Sequence, residues 1–140
     1  MATRSPGQSK TQLGPLEKAV MDRLWDTTGW EDVRTMHRAV GELRGLARNT
    51  IHSTLERLVR KGLVSRRRRG RAYEYLAIVS RSGWISDLLE AVVAGLDSAD
   101  SAEILVGFVD FAERASASTL EELEELVNDR LRRRDQRGGG

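Results

Sequence analysis

A chain of 140 residues, 39% hydrophobic and 31% charged, has the make-up of a soluble globular protein: one compact domain, or a small domain with an oligomerisation arm. The absence of cysteine excludes disulfides and thiolate metal sites, and no apolar run approaches the ~18–20 residues that a membrane span requires. Net charge is only +2, yet residues 1–80 hold 16 Lys/Arg against 8 Asp/Glu and residues 81–140 hold 7 against 13, so the first half suits a polyanion and the second another protein or itself.

Residues 1–12 are polar, with no hydrophobic segment of the kind that directs secretion, and are read as a flexible arm of a cytoplasmic protein. Order is expected from Leu13. Pro15 suits the first position of a helix, and Glu17 puts negative charge in its first turn, where the helix dipole favours it. Leu16, Val20 and Leu24 form its buried stripe, with Ala19 and Trp25 alongside, and Thr27-Thr28-Gly29 closes it. Asp32 is placed to cap a second helix over about Val33–Leu43, with Val33, Met36, Val40 and Leu43 inward. Gly41 weakens its last turn.

The stretch from Ala47 to Lys61 organises the rest. Ile51, Leu55 and Leu58 recur at helical spacing as one narrow apolar stripe. Asn49, Ser53, Glu56 and Arg60 fall on the opposite side, with Thr50 and Arg57 on a flank. Neither Ala47 nor Arg48 is a strong cap, so Asn49 is the first candidate; in that role its side chain would serve backbone donors rather than a base. Short polar groups near the start of such a face reach base edges, and guanidinium groups neutralise phosphates. The base-reading candidates are Arg48, Asn49, Thr50, His52, Ser53 and Arg57.

Gly62 stops this helix, and Leu63–Arg69 and Arg71–Val79 read as two strands around a turn at Gly70. Alternation puts Arg66 and Arg68 on one face and Arg67 and Arg69 on the other. Five arginines in the six residues 66–71 are heavy for an edge strand that needs only solubility. Arg68, Arg69 and Arg71 at the tip, with Arg60 and Lys61, are the phosphate-contacting candidates. A helix stopped by glycine and followed by a basic hairpin is the wiring of a winged helix-turn-helix, here over residues 13–79. The fold class is therefore mainly α with a small β-hairpin.

Residues 80–135 read as three helices. The first carries Trp84, Ile85, Leu88, Leu89, Val92, Val93 and Leu96, and Asp97–Asp100 breaks it. The second carries Ile104, Leu105, Phe108, Val109, Phe111 and Ala112. The third starts at Ser118 or Thr119, each with glutamate three residues later as in a capping box, and carries Leu120, Leu123, Leu126, Val127 and Leu131. Residues 136–140 are expected to fray. These helices hold more apolar surface than they can hide among themselves, so either they pack on the winged domain or they pair with a second copy. A homodimer joined through Trp84, Leu88, Leu105, Phe108, Val109, Leu123 and Leu126 is the better reading, because a two-fold partner suits a two-fold operator.

Between about Leu13 and Leu131 the chain resembles the penicillinase-repressor (BlaI/MecI-type) transcriptional regulators. The resemblance lies in Leu13-Gly14-Pro15-Leu16-Glu17 with Val20-Met21 and Leu24-Trp25, then Val33-Arg34 and His37. It continues in Thr50-Ile51, in Arg57-Leu58-Val59-Arg60-Lys61-Gly62-Leu63-Val64, and in Gly70-Arg71-Ala72-Tyr73 with Tyr75. It implies a homodimeric repressor on a dyad-symmetric double-stranded DNA operator, typically controlling β-lactam resistance genes, with no cofactor. It also implies an upstream membrane sensor and derepression by proteolysis in the C-terminal region. In staphylococcal-type members that cut lies between Asn and Phe; the matching bond here is Gly107–Phe108, with glycine replacing the asparagine. The copper-responsive branch uses a C-terminal cysteine cluster, which this chain lacks.

Three other functions compete. An enzyme would need a nucleophile, an acid–base pair or a metal site, and His37 and His52 on separate helices supply none of these, so no catalytic or metal-binding residue is assigned. A winged-helix adaptor that binds protein rather than DNA predicts a neutral or acidic third helix and wing, the reverse of what is present. A regulator answering a small ligand would need a pocket around Trp84 or Phe108.

Overall fold

The computed structural model describes residues 10–96 and 100–139. The first nine residues of the expected arm and residues 97–99 of the expected break lie outside them. Two units divide after Gly95.

In the first unit, helix α1 (Pro15–Asp26) opens with Pro15 as its first residue, and the Glu17 side chain accepts the backbone N–H of Gly14 at 3.2 Å. A two-residue strand β1 (Glu31–Asp32) follows, and Asp32 then caps α2 (Val33–Met36) by accepting the Thr35 N–H at 2.7 Å. The second helix does not stay regular. It widens into a π turn over His37–Gly41 and tightens into a 3₁₀ turn over Glu42–Arg44. That change of pitch breaks the phase of the apolar stripe. Leu43, expected inward, is 88% exposed, and Leu46, beyond the left-handed Gly45, packs against the core instead.

Gly41 marks where this segment crosses the next helix. A Cβ there would lie 2.7 Å from the His37 ring and 3.0 Å from Ile51, so only glycine permits the approach. His37 holds the following loop, its Nε2 lying 2.7 Å from the Leu46 carbonyl. Helix α3 (Arg48–Arg60) ends at Gly62, whose φ of 78° reverses the chain into β2 (Val64–Arg69). β2 pairs antiparallel with β3 (Ala72–Ala77), with Arg66 opposite Tyr75 and Arg67 opposite Glu74. β1 pairs with the other edge of β3, making a three-stranded sheet in the order β1-β3-β2. Three helices and this hairpin form a winged helix.

Helix α4 (Arg81–Ala94), capped by Ser80, belongs to the same unit. Trp84 is the reason. It is buried in the core that Val20, Met21, Met36, Ile51, Leu55, Leu58 and Tyr75 build. It lies 5.8 Å from the Trp25 ring, and its indole N–H donates to the Lys10 carbonyl. Trp84 is thus a core residue rather than the interface or pocket residue expected of it. Leu88, also expected at the interface, packs partly against the same core. The unit therefore reaches well past the expected boundary at residue 79. Order also begins earlier than Leu13, because Lys10 and Gln12 accept hydrogen bonds from Trp84 and Lys61.

The second unit contains α5 (Ser101–Ala115) and α6 (Thr119–Gly138). The capping box forms at Asp100 and Glu103, opening α5. The expected box at the start of α6 does not form: the Ser118 hydroxyl bonds the Glu122 carboxylate rather than a backbone N–H. α6 runs through Gly138, into the segment expected to fray. No helix among the described residues is long and apolar enough to cross a membrane.

Candidate nucleic-acid interface

Helix α3 buries Ile51, Leu55 and Leu58 as its spacing requires, and Thr54 with them. Thr54 tolerates burial because its hydroxyl donates to the Thr50 carbonyl at 2.8 Å, one turn back. The opposite face is open: Arg48, Asn49, Thr50, Ser53, Arg57 and Arg60 are exposed, and His52 is half-buried at the edge nearest the wing. The helix begins at Arg48 after an extended Ala47 that makes no side-chain cap. Asn49 is therefore inside the first turn and caps nothing. Ser53 Oγ donates to the Asn49 carbonyl at 3.0 Å, which uses its proton and leaves its lone pairs to accept.

The wing divides its arginines by alternation. Arg66 pairs with Glu56 at 2.6 Å and lies over the Tyr73 ring, 4.5 Å from its centroid. Arg67 pairs with Glu74 at 3.0 Å and stacks on Trp30 at 4.3 Å. Both are fixed in place. At the tip, Arg68 donates to the Gly70 carbonyl of its own turn, and Arg69, three-quarters exposed, stands a loose 3.8 Å from Glu74. Such exposed pairs are weak and easily exchanged for a phosphate. Arg71 is exposed and unpaired among the described residues.

Two residues behave differently from their sequence reading. Lys61, expected on a phosphate, has a side chain only 16% exposed, pairs with Glu17 at 2.7 Å and donates to the Gln12 carbonyl. It ties α3 to α1 and leaves little charge facing solvent. Glu56, expected on the outer face of α3, is half-buried under the wing, where it accepts from Arg66 and from the Tyr75 hydroxyl at 2.7 Å. Burial pushes its carboxyl up, but the Arg66 and Tyr75 hydrogen bonds, with the nearby Arg66 and His52 charges, outweigh that and hold it below its ordinary value. Burial first, and the bond to Glu56 second, push the Tyr75 hydroxyl up, so it remains a donor.

Between α3 and the wing runs a groove of about 710 Å³, lined by Asp32, Val33, Arg34, Arg48, Asn49, His52, Ala72 and Tyr73. It adds Arg34, exposed beside the start of α3, to the cationic set. Nothing in the spacing of α2 alone marks Arg34, because its place depends on β1 setting the entry to that helix.

In the second unit, Leu105, Phe108, Val109 and Leu126 are exposed along α5 and α6, and Leu123 is half-buried. The Phe108 and Phe111 rings lie 6.3 Å apart, tilted to one another. The Gly107–Phe108 bond lies in the middle of α5, so its backbone is helical rather than extended. Among the described residues, no cluster of His, Asp and Glu is placed to hold a metal ion.

Residues 13–129 match the family model described as penicillinase repressor. The chain is 39% identical over 100 residues to the transcriptional regulator BlaI of Mycobacterium tuberculosis strain CDC 1551 / Oshkosh, an alignment covering 71% of this chain and 72% of that one. The BlaI of strain ATCC 25618 / H37Rv matches to the same extent. Among solved structures, the DNA-binding domain of the repressor BlaI in solution aligns with 52% of this chain and 88% of that one, at 22% identity and a TM-score of 0.47. The complex structure of hsRosR-S4 aligns with 79% of this chain and 97% of that one, at 18% identity and a TM-score of 0.48.

Proposed function

This chain belongs to the penicillinase-repressor family, and from that premise we propose that it is a homodimeric transcriptional repressor that reads a dyad-symmetric operator in genes of a β-lactam response. The observation that carries the reading is the outer face of α3. Short polar groups (Asn49, Thr50 and Ser53) occupy its first two turns, with Arg48, Arg57 and Arg60 around them. In a major-groove helix the N-terminal residues approach base edges most closely, so Thr50, Ser53 and Asn49 read sequence, with Arg48, His52 and Arg57 beside them. Arg60 and the wing tip, Arg68, Arg69 and Arg71, hold phosphates, with Arg34 added and Lys61 removed from the set expected at first.

Two copies supply the symmetry. Leu105, Phe108, Val109, Leu123 and Leu126 form the proposed interface, where one apolar surface meets its own copy. An upstream sensor and protease remain part of the proposal. Cleavage at Gly107–Phe108 would require α5 to unwind locally, because proteases bind extended chain. Footprinting on the DNA upstream of the protein's own gene tests the reading. Two protected half-sites, centred about one helical turn or a multiple of it apart, are expected. A single half-site at saturation contradicts a symmetric dimer.

A further inference from the structure

Glu56 is an acidic residue at the edge of a surface otherwise rich in arginine. Its side chain is 20% exposed and touches three elements of the reading unit. It projects from the middle of α3, accepts Arg66 Nη1 of β2 at 2.6 Å, and accepts the Tyr75 hydroxyl of β3 at 2.7 Å. His52 Nε2, on the preceding turn of α3, lies 3.8 Å from the same carboxylate. One carboxylate thus neutralises a wing arginine beside the helix that reads bases.

Attachment to random DNA is almost wholly electrostatic: it rises with every cation free to meet a phosphate, whereas operator binding also depends on fixed contacts to bases. A free arginine at the root of the wing would strengthen the first more than the second. The geometry points to Glu56 as a specificity-determining residue, which withholds Arg66 from phosphates and so keeps attachment to random DNA weak relative to operator. The inference rests on the DNA-binding reading above and assigns a role to a residue that touches no base.

Three proteins test it: wild type, Glu56→Gln, and Glu56→Gln combined with Arg66→Gln. Glutamine still accepts the Tyr75 hydroxyl, and the double variant restores the wild-type net charge. Binding to a random duplex and to the upstream DNA is measured across salt. At 0.1 M salt, Glu56→Gln should bind random duplex about fivefold to tenfold more tightly, with a salt slope steeper by about one unit, and operator should gain less. The double variant should return to within about twofold of wild type. A folded Glu56→Gln variant that binds random duplex no better than wild type overturns the inference, as does a double variant that stays as tight as the single one. If Glu56→Gln does not fold, Arg66→Gln alone decides: because Arg66 holds no phosphate, the salt slope on random duplex should stay at its wild-type value, and a slope shallower by about one unit overturns the inference. Wild-type protein that shows no salt-sensitive DNA binding sinks the DNA reading itself, a separate outcome.

Discussion

The winged unit and the C-terminal unit carry comparable apolar residues and treat them in opposite ways. In the first, Val20, Met21, Met36, Ile51, Leu55, Leu58 and Tyr75 lose essentially all exposure among three helices and a sheet. In the second, Ala112 is the buried hydrophobic residue among those described, while Leu105, Val106, Phe111 and Leu126 are each more than 60% exposed. Two helices joined by a short link can cover one stripe of each other, not the whole circumference. Apolar burial stabilises by roughly 25 cal/mol per Å², so a face left this open retains a strong drive to meet a partner. The core of the first unit is closed, although Ile85, Leu89, Val92 and Val93 stay open along α4; the second unit leaves most of its apolar surface open.

The largest effects should separate the two units. Ending the chain after Val79 removes Trp84 from the core, at a cost of about 3–5 kcal/mol in urea unfolding by analogy with core Trp→Ala. Ending it after Gly95 should leave a winged unit of undiminished stability that sediments as a monomer. A dimer of that shorter chain would put the interface on α4 or elsewhere in the winged unit. Point substitutions sharpen the same contrast. Leu55→Ala should cost about 2–5 kcal/mol by creating a cavity. Leu105→Glu should leave the fold intact and shift sedimentation from dimer to monomer, and a persistent dimer would move the interface away from α5.

Smaller effects fall within the winged unit. Thr50→Ala or Ser53→Ala should weaken operator by about 1–3 kcal/mol per lost base contact and leave random DNA nearly unchanged. Arg69→Ala or Arg71→Ala should weaken both DNAs by similar factors. Equal loss for Thr50→Ala with selective loss for Arg69→Ala, in a competition assay, would reverse the roles of helix and wing. The smallest effect is a pH dependence. The Thr35 backbone N–H holds the Asp32 carboxyl below its ordinary 3.8, and its Arg66 and Tyr75 partners hold Glu56 below its ordinary 4.5. Because both are lowered on folding, the stability they contribute is full above those ordinary values and is lost as pH falls through the folded ones. Asp32→Asn and Glu56→Gln should each flatten the acid limb of a stability profile measured from pH 6 to 2; an unchanged limb would remove the role assigned to these contacts.

How much of this the sequence disclosed follows from what each feature depends on. The stripe of α3, the stop at Gly62, the turn at Gly70 and the Asp32 cap are local, and each was legible. β1 was not, because Glu31 and Asp32 lack β-favouring side chains and pair through backbone alone. Leu43 misled because a π turn moved the helical phase. Lys61, Glu56 and Trp84 misled for one shared reason. Their partners, Glu17, Arg66 with Tyr75, and Trp25, stand on other elements, and only the folded chain brings them near. Within the candidate site, the exposed face of α3 was readable from periodicity. The division of the wing arginines into anchored and free needed the positions of Glu56, Glu74, Trp30 and Tyr73.

The most direct test of the central claim, that a basic surface on a symmetric pair of winged units holds DNA, is the salt dependence of binding. With ~6–10 phosphates contacted per dimer, log K against log[salt] should fall with a slope of roughly −5 to −9 on DNA from upstream of the protein's own gene. A flat response across the same salt range would contradict it.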